Sequence, residues 1–333
     1  MFRVNLFRLM IVSVLFICSL FPAISQAAKF KVLVVMSYEE KLSWCENMKK
    51  GIETALGELS EIKYFYMNTM ENFEGGARKA EEAYNLFQEF KPDGVIAADD
   101  NAQVLFVVPY LKDKVKTPVM FCGVNAEPEQ YGYPASNVSG MLERLHMKES
   151  IAYAQQIVPS IKTVGYMVKA GPVAEAVLKQ VKSESDTYPA ISKGFKTPDT
   201  LKHAIEMAEE LKKDCDLLFM TSMGGLTGND GKPLTLKEAT SELVKAFGKP
   251  TFTDVTDLIK HGVLCAVTIA SYEQGETSAQ MLLKAMQGTP ISRLPVAKNK
   301  HGKAVINPTA LKSLGIKPQP MVFQKAEVMK TSE

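Results

Sequence analysis

Short apolar runs alternate with longer amphipathic stretches along almost the whole chain. Residues 31–36 (KVLVVM) are apolar at nearly every position, which is typical of a buried parallel strand. In residues 43–59, apolar side chains recur at helical spacing behind Ser43, a favourable N-cap residue. The same order of strand and helix continues at 62–67 and 76–90. This alternation predicts crossover units and therefore a parallel sheet.

The pattern then starts again in the second half of the chain. The first half also predicts strands at 94–98 and 118–122 and a short helix at 104–110, and residues 140–146 read as a linker. After the linker, the pattern predicts helices at 148–158, 173–182, 200–212, 236–247 and 271–287, and strands at 163–168, 190–195, 216–220, 251–252 and 263–269. We therefore expect an α/β protein with two doubly wound lobes, each built on its own parallel sheet.

The first thirty residues predict a secretory signal peptide. Arg3 and Arg8 form a basic start, residues 10–21 are apolar, and the small residues at 25–27 resemble a cleavage site. The apolar run is short for a membrane-spanning helix. We expect residues 1–28 to be removed and the mature chain to be periplasmic.

Charge and composition narrow the classes of partner. Removing Arg3 and Arg8 with the signal lowers the formal net charge from +2 to zero, which argues against nucleic acid or anionic lipid as a partner. The four histidines and the remaining cysteines show no zinc-site spacing, so we expect no metal and no cofactor. These cysteines, whose redox state the sequence leaves open, are Cys45, Cys122, Cys215 and Cys265.

Polar and aromatic side chains follow the first predicted strand. In open parallel sheets, ligands bind beyond the carboxyl ends of the strands. Ser37 and Tyr38 stand directly after the first strand, and Trp44, the single tryptophan, falls in the first turn of the next helix. An indole at this edge can stack on a ligand. Trp44 could equally well be a partly buried packing residue.

The third and fourth strands are also followed by polar residues. Asp99, Asp100 and Asn101 come after the third strand, and Asn125 follows the fourth. Two carboxylates and an amide can hold an ammonium group. One of the three residues after the third strand can instead cap the next helix.

Three strand ends in the second half add further candidates. Ala170 and Gly171 follow a strand and open a helix, and Thr221 and Ser222 offer hydroxyl and N–H groups suited to a carboxylate. Asp254 follows the strand near 251 and fits a helix cap as well as a ligand contact.

Residues that the sequence lacks disfavour several other functions. Only Arg78, Arg144 and Arg293 remain after the signal, and each lies away from the predicted strand ends, which disfavours phosphate or dicarboxylate ligands. The chain has no G-x-S-x-G elbow, no phosphate loop and no histidine placed to act as a base. These patterns favour a protein that binds a small molecule, such as an amino acid, over an enzyme.

Several segments resemble the ABC-transporter substrate-binding proteins of the type I periplasmic class, especially relatives that bind aromatic amino acids. The resemblance rests on residues 118–125 (PVMFCGVN), 137–140 (NVSG), 157–165 (IVPSIKTVG), 275–279, 288–290, 305–308 and 314–316. The segment 37–44 looks more like a subgroup found beside membrane histidine kinases.

The resemblance implies a monomer with two lobes joined by a three-segment hinge. The first lobe would comprise residues 29–143 plus 271–294, and the second lobe residues 144–270 plus 295–333. The partner would be an ABC permease in the inner membrane or, alternatively, a sensor kinase. The ligand contacts carried over from the family are Ser37, Asp100, Asn101, Asn125, Ala170, Gly171, Thr221 and Ser222.

Overall fold

The computed structural model describes residues 29–332, which form two sheets flanked by helices. The predicted signal peptide at 1–28 lies outside this range. Across the described range, no helix combines the length and the apolar character needed to cross a membrane. The cysteines of the described range are all buried free thiols.

The first sheet has six strands, all parallel, in the order β11–β5–β4–β3–β1–β2. The strands are β1 (Phe30–Met36), β2 (Ser60–Tyr66), β3 (Gly94–Ala98), β4 (Val119–Val124), β5 (Val138–Leu142) and β11 (Ala297–Lys298). The helices around it are α1 (Ser43–Leu56), α2 (Gly76–Phe90), α3 (Asp99–Ala102) and α9 (Ser271–Met286). The central strands β3 and β4 are buried along their whole length, which explains their apolar sequences.

The second sheet has seven strands in the order β13–β12–β10–β9–β8–β6–β7. The strands are β6 (Thr163–Val168), β7 (Ile191–Lys196), β8 (Leu217–Thr221), β9 (Thr251–Thr253), β10 (Cys265–Ile269), β12 (Gly302–Ile306) and β13 (Ala326–Val328). The helices around it are α4 (Met147–Ile157), α5 (Pro172–Glu184), α6 (Leu201–Asp214), α7 (Leu236–Phe247), α8 (Thr256–Ile259) and α10 (Pro308–Ser313). Its neighbours are parallel except for β10 and β12, which run antiparallel.

The predicted fold class is confirmed, and the structure corrects two local predictions and adds an unpredicted antiparallel strand. Strand β5 occupies part of the predicted linker at 140–146 and pairs with β4. The predicted short helix at 104–110 is a π-helix, Gln103–Leu111, which continues from α3 and contains Pro109. Proline cannot donate a backbone hydrogen bond, and a wider turn is one way to absorb the missing donor. The antiparallel strand β12 is an addition that the sequence patterns did not predict.

The chain passes between the two sheets three times, after β5, after β10 and after β11. The last passage follows Lys298, because β11 pairs with β5 in the first sheet. This passage lies a few residues beyond the predicted boundary at 294. The predicted lobe boundaries themselves stay a prediction.

Helices α1 and α9 pack with their backbones unusually close together. A Cβ atom added to Gly51 of α1 would lie 2.1 Å from the carbonyl oxygen of Tyr272, and one added to Gly275 of α9 would lie 2.1 Å from that of Met48. Only glycine permits such an approach. This contact fixes the helix that carries Trp44 against the helix that returns from the second sheet.

Candidate functional site

A cavity of about 490 Å³ lies between the two sheets, a volume within the range of small-molecule sites. Helix α1 supplies one wall, and the segment after β5 contributes Glu143. The ends of β9 and β10 with the starts of α8 and α9 complete the lining. The lining residues are Ser43, Trp44, Asn47, Glu143, Asp254, Val255, Thr256, Asp257, Thr268, Ile269 and Ser271.

Trp44 is held in the cavity wall by a specific hydrogen bond. Its indole N–H donates to Asp99 Oδ1 at 3.0 Å. The side chain is half-buried, so part of the indole stays accessible. The structure therefore confirms that Trp44 lies at the carboxyl edge of the first sheet. Its orientation is fixed by Asp99, the residue that follows β3. Its stacking role stays a prediction.

Asp99 is a buried carboxyl group in a constrained backbone position. It is 3% exposed and has a φ of 66°, in the left-handed region. Burial raises its pKa well above the usual range, and the nearby Glu143 carboxylate raises the pKa further. Its Oδ2 atom has no hydrogen-bond partner among residues 29–332. Gly123 leaves room for this side chain, since a Cβ there would lie 2.7 Å from Asp99 Oδ1.

Asp100 holds the loop that follows β4. Its carboxylate accepts hydrogen bonds from the backbone N–H groups of Asn125 at 3.0 Å and Ala126 at 3.2 Å, and from the Tyr131 hydroxyl at 2.7 Å. Asn101 donates to Thr69 Oγ1 at 2.9 Å. These partners all lie on the first-sheet side, and an ammonium-binding role for Asp100 and Asn101 stays a prediction.

The helix-cap alternatives for these acidic residues are wrong. The N-cap position of α3 is Ala98, which precedes both Asp99 and Asp100. The N-cap position of α8 is Val255, one residue after Asp254. In each case the N-cap residue is a different residue from the acidic ones that the sequence offered as caps.

Ser37 connects β1 to α3. Its hydroxyl donates to the carbonyl of Ala98 at 2.6 Å and accepts from the backbone N–H of Ala102 at 2.9 Å. The residue is fully buried. Neighbouring Tyr38 is half-buried, and burial together with the Asp99 carboxylate raises its pKa, so its hydroxyl keeps its proton at neutral pH.

The second-sheet candidates divide into two groups. Asp254 lines the cavity, and burial raises its pKa, although a hydrogen bond from the buried Thr221 hydroxyl opposes this. Ala170, Gly171 and Ser222 are exposed and lie outside the lining of the cavity. The structure thus brings Trp44 and Asp254 together in one cavity and leaves these three residues apart from it.

Glu143 lines the cavity, and the sequence patterns did not indicate it as a candidate. It follows β5, which the sequence patterns assigned in part to a linker, so its place at a strand end was not recognised. Burial raises its pKa to about 8, repulsion from Asp100 and Asp254 adds to the rise, and a hydrogen bond from Asn125 opposes it. The signal for this strand was weak, because Ser139 and Gly140 interrupt its apolar residues Val138, Met141 and Leu142.

Comparisons with known proteins agree with this architecture. Residues 231–330 match the family model for ABC transporter substrate binding proteins. No curated protein sequence matches the chain. In the part of the chain that the structure describes, no three His, Cys, Asp or Glu side chains form a group that could hold a metal ion.

Solved structures share the fold at low sequence identity. The ligand-free, open structure of a substrate binding protein with adhesive properties from Clostridium difficile is 18% identical, covers 91% of this chain and 100% of its own, and has a TM-score of 0.69. The ABC domain from Streptococcus pneumonia in complex with L-Trp has the same identity and coverage and a TM-score of 0.56. A mutant XylFII–LytSN complex is 12% identical, covers 83% of this chain and 97% of its own, and has a TM-score of 0.55.

The family match covers a shorter part of the chain than the fold likeness does. The family match covers the segment from the end of the loop before α7 to the C-terminal strand, and the fold likeness covers nine-tenths of the chain. Residues 231–330 thus resemble ABC transporter substrate binding proteins, and the chain shares its fold with a solved substrate binding protein and with an ABC domain.

Proposed function

We propose that the protein is the extracytoplasmic solute-binding component of an ABC transporter and that it closes over an amino acid, preferably an aromatic one. The observation that carries this proposal is Trp44, which is fixed by Asp99 in the wall of a cavity lined from both sheets. A flat indole in such a position offers a stacking surface for an aromatic or other planar ligand.

The relatives support an amino acid as the ligand. The structure from Streptococcus pneumonia, which has a similar fold, was solved with L-Trp. The predicted signal peptide at 1–28 supports export to the periplasm, where such a protein would act as a monomer and meet an ABC permease in the inner membrane.

Closure of the two lobes would bring the remaining candidates to the ligand. The cavity-lining residues Thr268, Ile269 and Ser271 lie where the chain returns from β10 to α9, so rotation there changes the width of the cavity. Tyr38 would extend the aromatic surface of Trp44.

Polar groups at the strand ends would hold the two charged groups of the amino acid. Asp100 and Asn101 would approach its ammonium group. The carboxylate would meet the N–H and hydroxyl groups of Gly171, Thr221 and Ser222.

The test is to identify and then measure the ligand. Mass spectrometry of the small molecule that purified protein releases on denaturation should show an amino acid, and calorimetry should confirm its binding. Trp44→Ala should weaken that binding about 10-fold or more, since it removes the stacking surface. Phe73→Ala, at an exposed phenylalanine, is the matched control. If no amino acid is released or bound, the proposed function is wrong.

A second candidate function is supported by the XylFII–LytSN complex, in which a protein of similar fold is joined to LytSN. The closed form would then dock on a sensor kinase and report the ligand. Ligand-dependent binding to the extracytoplasmic domain of a kinase, with no stimulation of permease ATPase activity, would favour this role over transport.

A further inference from the structure

Two carboxylates in the cavity lack a cationic partner. Three acidic residues line it, Glu143, Asp254 and Asp257, and its described lining contains no lysine, arginine or histidine. Asp257 is already neutralised, because its Oδ1 atom lies 2.7 Å from Lys260 Nζ. Glu143 and Asp254 therefore remain as the unpaired acids of the cavity.

The one arginine next to these acids is engaged elsewhere. The Arg144 Nη1 atom donates to the carbonyl oxygens of Val124 at 3.3 Å and Asn125 at 3.0 Å. Its Nη2 atom lies 3.3 Å from the carboxylate of Glu127. The guanidinium is thus held by the loop after β4. Its charge opposes the rise of the Glu143 pKa, but burial and the neighbouring carboxylates outweigh it.

Glu143 and Asp254 come from opposite sides of the cavity and repel each other. Glu143 follows β5 of the first sheet, and Asp254 follows β9 of the second. Their mutual repulsion contributes to the raised pKa of Glu143. Closing the lobes would increase this repulsion unless a positive charge lay between the two groups.

We infer that the ligand carries a cationic group, an ammonium or a guanidinium, that sits between Glu143 and Asp254 and against the ring of Trp44. This inference rests on the proposed function and narrows its substrate class to amino acids whose side chain carries a positive charge, in place of the preference for an aromatic side chain. Tryptophan is the best ring for binding a cation over its face, and the carboxyl groups of Glu143 and Asp254 supply the acceptors. Because a cation beside Glu143 favours its ionised form, Glu143 gives up its proton when the ligand binds.

Asp99 adds an independent observation in favour of a cation. This nine-tenths-buried carboxyl holds the indole N–H with one oxygen, and its other oxygen is unpartnered within residues 29–332. A buried acidic group that lacks a donor is costly unless positive charge or a donor reaches it. A cation seated against Trp44 would place that charge close to Asp99.

The experiment compares probes of the same shape and different charge by calorimetry near neutral pH. L-arginine with L-citrulline, and L-lysine with L-norleucine, are pairs that keep the α-ammonium and carboxylate groups and differ in the charge of the side chain, and L-tryptophan is the neutral aromatic reference. In any set that binds, the cationic probe should bind about 10- to 100-fold more tightly than its neutral counterpart. Glu143→Gln and Asp254→Asn should each remove most of that preference.

The control variant is Glu129→Gln, at an exposed carboxylate outside the cavity lining, which should leave the preference unchanged. Equal or tighter binding of the neutral probes overturns the inference and leaves the proposed function standing. The inference also fails if both cavity variants, shown to be folded by circular dichroism, keep the full preference. If none of the five probes binds, the proposed amino-acid function and this inference fail together.

Discussion

Replacing Glu143 by glutamine should make the protein more stable at alkaline pH. The folded protein holds the Glu143 proton up to about pH 8, whereas in the unfolded chain the group has its usual pKa of 4.5. The folded state therefore binds more protons than the unfolded state between these values. The contribution of this group to stability is complete below about pH 4.5 and is lost as the pH rises through about 8.

The size of the effect follows from the two pKa values. Each pKa unit between the folded and unfolded states corresponds to about 1.4 kcal/mol. For a rise from 4.5 to about 8, ionisation of Glu143 costs the folded state roughly 3 to 5 kcal/mol, the lower figure allowing for water in the cavity. Since a folded domain is stable by about 5–15 kcal/mol, this cost is a large share of the total.

Urea unfolding of the wild type and of Glu143→Gln from about pH 5 to about pH 9 measures this effect. Fluorescence of the single tryptophan, Trp44, reports the unfolding of the side that carries α1. The wild type should lose stability relative to the variant across this range. Glu129→Gln, which changes an exposed carboxylate, should track the wild type.

The result that would refute the reasoning is a stability difference between wild type and Glu143→Gln that stays constant over this pH range. Groups far from Glu143 titrate alike in both proteins, so they cancel in the difference. A constant difference would mean that the Glu143 carboxylate is solvated and ionised in the folded protein at neutral pH.

Two further substitutions test the framework that positions the site. Ser37→Ala should lower the free energy of unfolding by about 1–3 kcal/mol, because it breaks the link from β1 to α3 at Ala98 and Ala102, and should leave ligand affinity within about twofold. A large loss of affinity at unchanged stability would instead support the predicted ligand role of Ser37. Gly275→Ala should cost at least about 1–3 kcal/mol, because its methyl group meets the carbonyl of Met48. An unchanged urea midpoint would contradict the close approach of α1 and α9. Gly224→Ala, where a Cβ would lie 3.8 Å from its nearest neighbours, tests the effect of losing a glycine by itself.

The bounds of several helices and strands follow from residues that are close to them in the sequence. Helix α7 has the predicted bounds, 236–247, because Thr235 and Glu238 form a capping box at its start and Gly248 ends it in a left-handed conformation. Strand β3 also has its predicted bounds, 94–98, since a strand buried on both faces needs an unbroken apolar run. Both signals lie within a few residues of the element that they define.

The roles of the site residues were decided by partners far away in sequence. Trp44 and Asp99 are 55 positions apart, and Ser37 reaches Ala98 across 61. Spacing along the chain predicts that such residues follow strands, and it contains no information on which polar atoms meet once the strands pair. Ser37 therefore bonds to backbone groups of Ala98 and Ala102, while Trp44 lines the cavity. Both were ligand candidates because both follow the first strand.

Glu143 shows most clearly what only the tertiary structure decided. The sequence determined two lobes built on mainly parallel sheets, because apolar periodicity is a local property. The electrostatics of the site required burial and the approach of charges from both sheets, here Glu143 beside Asp100 and Asp254. Desolvation and repulsion depend on distances that exist only after folding. The sequence alone therefore could not show that acidic side chains from both sheets line one cavity.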